Sequence, residues 1–430
     1  MADLTDKTSS QTVKIVGADI NGIENNFVTA DATGALVTRL KSTNYDAFGR
    51  IRISDPTTIF EASFPVDKYV DMFSELTASG GAVTQDANLS SVILSTGATS
   101  GSTAKFQTRI PFKYHPGKSN LILITGSLIE AKANTKKYLG QFDENNGYYF
   151  LLEGSTLKVG IRTKVSGSVV DTEVAQSAWN TDKLDGTGQS GVTLDITKQQ
   201  IFFIDYQWLG SGAARFGVSI GGELIICHEF KHANILATPY SSTANLPIRT
   251  EIVSSAANSA STLRLTCVSL TSEGGQRDFG SITSVSTGNT ARTLTNIGTQ
   301  TALVVIRLRA NLTNVYIDPL EFSALGSTTD DFIIRIVKNP TVTGGTWNNA
   351  GRITSFNTTT TSVTGGTILY QSYFRAAADT QALVSDILNE AFESSIGYDM
   401  AGTRDTLALV AVAVTSNSNI YGSFTIREVI

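Results

Sequence analysis

His228 and His232 bracket Glu229, Phe230 and Lys231 in the stretch LIICHEFKHANIL, residues 224–236. Two histidines four residues apart, with a glutamate directly after the first, form the ligand-and-base set of a zinc peptidase. On a helix both imidazoles reach one Zn²⁺ and the glutamate takes a proton from the metal-bound water. Other residue groups invite chemistry too. Asp143, Glu144, Asn145 and Asn146 could surround a Ca²⁺, but the EF-hand spacing is absent. With Gly147 behind them, they read as a hairpin turn. Asp182 and Asp185 lie in a glycine-rich loop, where paired carboxylates could act as acid and base. Two aspartates in a polar loop read instead as solvated. Tyr148, Tyr149, Trp179 and Trp347 could stack on sugar rings. The alternation in GYYF sends one tyrosine inward and one outward, so at least one belongs to a core. The glycine pairs in GGELIICHE and LTSEGGQ lack a phosphate-loop lysine, and no nucleophile-elbow serine is present.

Whether the histidines can share a metal depends on the element that carries them. Upstream, Ala214, Phe216, Val218 and Ile220 alternate with Arg215, Gly217 and Ser219, the period of a half-buried strand. Gly221-Gly222 supplies a two-residue turn whose positions require positive φ, and Glu223–His228 returns as a second strand. On a strand His228 and Glu229 face opposite ways, and the zinc geometry fails. The helical alternative has some support, because 224–236 contains no Pro or Gly and Leu224, Cys227, His228 and Ile235 would share a stripe. Against it, no downstream histidine offers a third ligand. Lys231 and Asn234 also stand where zincin helices carry uncharged and apolar residues. The strand reading takes precedence. No catalytic, cofactor-binding or metal-ligating residue is therefore assigned, and no cofactor is expected.

The chain has 430 residues, of which 41% are hydrophobic and 17% charged, with 37 Gly against 8 Pro. That balance suits sheets joined by polar turns, in about two domains. A net charge of −5, with no basic run, gives no electrostatic grip on nucleic acid. Arg307 and Arg309 share one side of a strand and read as solvent-facing. The N-terminal stretch lacks the basic start and apolar core of a signal peptide. LALVAVAV, residues 407–414, is too short to span a bilayer and reads as a strand buried on both faces. Cys227 and Cys267 fall in strand patterns and are expected as a buried, reduced pair, with a single disulfide left open. Synthesis in a reducing cytoplasm follows.

Three regions emerge. Residues 1–45 are polar and poor in aromatics, an extended, docking N-terminal arm expected to lie along another surface or remain mobile. Residues 46–275 carry strand patterns such as KFQTRIPFKY, NLILITGSLIEAK, GYYFLLEG and QQIFFIDYQWLG, separated by turn clusters at sandwich-like intervals. Residues 276–430 repeat that character in a smaller second sandwich. TVTGGT at 341–346 and SVTGGT at 362–367 are near-copies and read as similar strand-edge turns. One short helix is expected near 380–392, with Thr380 as its cap and Leu383, Ile387 and Ala391 on one face. The fold class is mainly β, with two antiparallel, jelly-roll-like sandwiches behind an extended arm.

The segments YDAFGRIRISDPTTIFEASF, GQFDENNGYYFLLEGSTLKVGIRT, QQIFFIDYQWLGSGAARFGVSIGGELIICHEF and DPLEFSALGSTTDDFIIRIVKNPTVTGGTWNN resemble a group of tailed-bacteriophage virion proteins. The order of strands in the central part is similar to a concanavalin-type jelly roll. The resemblance implies a non-enzymatic virion component, made in the host cytoplasm, that decorates the head or forms part of a fibre or tail attachment. Its implied partners are other copies of itself, with a trimer as the expected state, and capsid or tail proteins. Nucleic acid binding and membrane insertion are not expected. One alternative is a receptor-binding module for host-surface glycan, for which exposed Trp179 or Trp347 beside a groove would speak. The other is a zinc metallopeptidase acting through His228, Glu229 and His232.

Overall fold

Period-two alternation becomes antiparallel sheet along most of the chain. The computed structural model describes residues 56–257, 259–275, 280–376, 395–415 and 417–430, with the strands Thr29–Ala30, Leu36–Val37 and Ala382–Ser385 besides. The first two of these three short strands pair with each other, and the rest of the expected N-terminal arm lies outside the described residues.

Residues 56–273 build two facing sheets. The seven-stranded sheet runs, in spatial order, Val170–Ala175, Thr156–Thr163, Gly147–Glu153, Thr135–Phe142, Ile248–Ser254, Thr103–Thr108 and Phe73–Ala78. The eight-stranded sheet runs Glu223–Phe230, Ala214–Ile220, Gln200–Tyr206, Asn120–Ser127, Thr262–Glu273, Ser91–Ser95 and Ala82–Asp86, with Pro56–Ser63 also paired to Thr262–Glu273. The chain crosses from sheet to sheet, so alternate side chains from both meet in one core. Phe150 packs on Phe202 at 4.9 Å and edge-on to Phe216 at 5.5 Å. Tyr148 stacks on Tyr206 at 4.4 Å, and its hydroxyl lies 2.6 Å from that of Tyr240, so the polar tips are satisfied inside the core.

Tyr149 faces the other way and is buried as well. It lies in a second aromatic cluster with Tyr138, Phe142 and Leu151 on the outer face of the seven-stranded sheet. Gly140 and Gly160 flank it across the sheet, and a Cβ on Gly160 would stand 2.5 Å from the tyrosine ring. Glycine thus lets the ring lie flat against the backbone.

Residues 281–429 form the second sandwich. Its five-stranded sheet places Ser418–Val429 between Ser281–Ser286 and Tyr316–Gly326, with Ala382–Ser385 beyond and Arg292–Leu294 also on Ser418–Val429. Its six-stranded sheet runs Asn348–Ala350, Thr354–Asn357, Thr301–Leu308, Thr406–Ala413, Asp330–Lys338 and Thr367–Ala376. Thr406–Ala413 is buried on both faces. Leu407, Leu409 and Ala411 enter the inter-sheet core, while Ala408 and Val410 pack outward with Val305 and Val363. The near-copies pair with each other: Thr341–Thr343 runs antiparallel to Ser362–Thr364, and the glycines that follow each have positive φ.

The helix expected near 380–392 is not supported. Ala382–Ser385 is a strand paired to Phe322–Leu325, and the remainder lies outside the described residues. Four residues that could join either period take the one offered by a sheet edge. Among the described residues the only helical element is the 3-10 turn Gln176–Ala178, and no helix is long and apolar enough to cross a membrane.

Candidate binding groove at the junction of the sandwiches

Ala214–Ile220 and Glu223–Phe230 form a hairpin through Gly221-Gly222, both at positive φ. The histidine pair is therefore carried by a strand end and the loop after it. His228 sits opposite Phe216, and its Nδ1 accepts the Asn180 backbone N–H at 3.3 Å. His232 donates from Nδ1 to the Gly212 carbonyl at 2.6 Å and stacks on Tyr240 at 3.9 Å. Each ring is committed to its own neighbours. Burial lowers the pKa of both, only weakly opposed at His232 by its bond to Gly212. Among the described residues no group of three or more His, Cys, Asp or Glu side chains could hold a metal ion.

The other sequence candidates separate. Asp182 is buried, its Oδ1 accepting the Leu184 N–H at 2.9 Å and its Oδ2 the Ser190 N–H at 2.7 Å. This corrects the solvated reading, since a short side chain folds its loop around itself. Asp185 is exposed and binds Thr187. Trp179 is buried and donates to the Val174 carbonyl, so it offers no exposed face to a sugar. Trp347 is half-buried beneath the Arg307 guanidinium, 3.5 Å from the ring centroid. Arg307 and Arg309 are half-buried, so the solvent-facing reading holds only in part. Desolvation, helped by Arg404, brings Arg307 down to about 10, and Arg309 donates to the carbonyls of Thr354, Ala350 and Gly351. Both cysteines are free thiols, Cys227 buried and Cys267 only half-buried, against the expected buried pair.

Asp143–Asn146 is the turn between Thr135–Phe142 and Gly147–Glu153, and it forms one wall of a seam between the sandwiches. Asp143 Oδ1 accepts the N–H groups of Asn145 and Asn146, which closes the turn. Its Oδ2 accepts Asn314 Nδ2 from the second sandwich at 2.8 Å, and the same amide donates to the Asn245 carbonyl at 2.7 Å. Nearby, Arg109 Nη1 meets Asp405 Oδ1 at 3.0 Å. Lys338 Nζ donates to the carbonyls of Asp71 and Ser395, each at 3.1 Å. The seam is thus pinned at several points by groups already desolvated.

Between the pins lie two cavities of about 470 and 360 Å³. Asn145 and Thr313 line both. Arg249, buried, closes the floor of the larger one and donates to Gln107 at 2.6 Å and to Glu144 at 2.8 Å. Burial would raise the Glu144 carboxyl, but Arg249 and Lys105 outweigh it and hold it at about 2. Tyr398, Met400, Arg309 and Arg404 supply the opposite wall. Sequence reasoning marked only the Asp143–Asn146 turn and Arg309 here. One further local signal exists, since Asn311 and Asn314 both adopt positive φ, a conformation asparagine tolerates. Nothing local marks Arg249 or Tyr398 as neighbours of that turn.

No protein-family model matches the sequence, and no curated protein matches it. Solved structures with some likeness include a legume lectin-like domain from Entamoeba histolytica, at 9% identity and TM-score 0.32, covering 50% of this chain and 98% of that one. A glycoside hydrolase family 16 endo-glucanase from Bacteroides ovatus is 10% identical at TM-score 0.35, over 49% of this chain and 99% of its own. A beta-1,3-glucanase from Mycobacterium marinum is 11% identical at TM-score 0.34, over 50% and 98%. At these scores the likenesses carry no functional argument.

Proposed function

We propose that the chain is a non-enzymatic structural component of a tailed-bacteriophage particle, incorporated as a homo-oligomer into a head decoration, a fibre or a tail attachment. The observation that carries this reading is the seam. Two sandwiches are fastened by Arg109–Asp405, by Lys338 on the Asp71 carbonyl and by Asn314, so the chain acts as one stiff body. Three of the titratable residues that could have done chemistry are absorbed in packing: Asp182 orders a loop, and His228 and His232 serve separate contacts. The resemblance of the central and C-terminal segments to virion proteins supplies the setting. On this reading the chain works in the virion after synthesis in the host cytoplasm, and its partners are its own copies and capsid or tail proteins. Peptide mapping and electron-microscopic imaging of purified particles test it. Stoichiometric chain at a defined position is the expected result, and particles free of it would end the proposal. Mass photometry of the isolated protein tests the expected trimer.

A further inference from the structure

We propose that the groove along the seam is a binding site for a neutral, hydroxyl-rich saccharide. The inference goes beyond the particle reading and rests on the lining. Arg249, Arg309 and Arg404 line the larger cavity together with Asp143, Glu144 and Asp399, so it carries matched charge. A phosphate or sulfate would meet carboxylates as well as guanidinium groups, and a hydrocarbon would strip water from both without return. A sugar hydroxyl both donates and accepts, and suits a lining that holds both kinds of group.

The groups nearest the opening still have capacity. The Asn145 side-chain amide makes no hydrogen bond to any other described residue, and it stands where the two cavities meet. Its backbone N–H is fixed by Asp143, which holds the amide in place without using it. Tyr398 and Met400 give the larger cavity an apolar surface on which the C–H face of a ring can rest. Both volumes fall within the range of about 300–1,000 Å³ common for small-molecule sites. Because they share Asn145 and Thr313, the groove suits an oligosaccharide running along the seam better than a single ring.

The test uses the full chain in its assembled form on an array of neutral, sialylated and sulfated oligosaccharides, with wild type, Asn145→Ala and Asn145→Trp compared. Wild type should retain a set of neutral glycans. Asn145→Trp, which fills the shared point, should weaken their binding about tenfold or more. Asn145→Ala should weaken it less, and both variants should keep the wild-type melting temperature. The proposal is overturned if no neutral glycan binds, if only charged glycans bind, or if Asn145→Trp binds as wild type does. Particles lacking the chain would remove the previous proposal and leave this one standing.

Discussion

Arg109, just past the strand Thr103–Thr108 of the first sandwich, donates to the buried carboxylate of Asp405 in the second, 3.0 Å away. Asp405 also accepts Asn339 Nδ2 at 2.9 Å and the Gly397 N–H at 3.2 Å. Removing the carboxylate leaves three donors without their acceptor. Asp405→Ala should cost on the order of 3 kcal/mol. Arg109→Ala should cost less, because the arginine keeps some contact with water. Urea denaturation of Asp405→Ala should also resolve two transitions where the wild type shows one. A single unshifted transition would deny the seam its mechanical role.

Acid should weaken the protein in a defined window. Burial alone would raise Glu428, but the N–H groups of Arg352, Ile353 and Thr354 and the Thr354 hydroxyl override it, so its carboxyl sits below the usual value. Glu144 is held at about 2. For a depressed carboxylate the stabilisation is complete above the unfolded pKa, near 4.5, and disappears as pH falls toward the folded value. The carboxylates by themselves should therefore leave the melting temperature level down to about pH 5 and lower it steeply between there and pH 2. Glu428→Gln should cost about 2 kcal/mol at neutral pH and make that drop shallower.

The two histidines give a second, milder window. Their folded pKa values are below the unfolded value of 6.5, so the unfolded chain takes up protons first. Stability should decline as pH falls below 6.5, and His228→Gln with His232→Gln should remove that slope. Added zinc should leave the wild-type melting temperature where it is. A zinc-dependent rise that His228→Ala abolishes would revive the peptidase alternative.

Gly160 and Tyr149 form a testable couple. Gly160→Ala puts a methyl 2.5 Å from the tyrosine ring and should cost about 2 kcal/mol. In a Tyr149→Ala background the same change should be nearly neutral, giving a clear coupling in a double-mutant cycle. Tyr149→Phe should lose about 1 kcal/mol, the value of the hydroxyl's bond to Glu173.

How much of this was legible depends on the range of the interaction. The hairpin at Ala214–Phe230 could be read because alternation and a glycine pair are local, and they place His228 on a strand. The turn at Asp143–Asn146 was legible for the same reason. Asp182 misled because its burial comes from Leu184 and Ser190 folding back over it, which composition does not register. Tyr149 was half-read. Alternation sends one of the two tyrosines outward without saying which; it is Tyr149, and neighbouring strands bury it there with Tyr138 and Phe142. The groove was the least visible feature, since Arg249 and Tyr398 reach the 143–146 turn from strands and loops distant along the chain.

The position of Ser418–Val429 governs how the second sandwich must assemble. Ser281–Ser286 and Tyr316–Gly326 do not touch as sheet neighbours. Each pairs with this later strand, which lies between them, and Tyr316–Gly326 carries Ala382–Ser385 on its other side. Until residues 418–429 have been made, both wait with an open edge, and closure of a long loop, from Gly326 to Ile420 and from Ser286 to Ser423, must precede their pairing. Growth of the chain on the ribosome thus leaves an interval in which those edges invite wrong partners, and the insertion of one strand ends it.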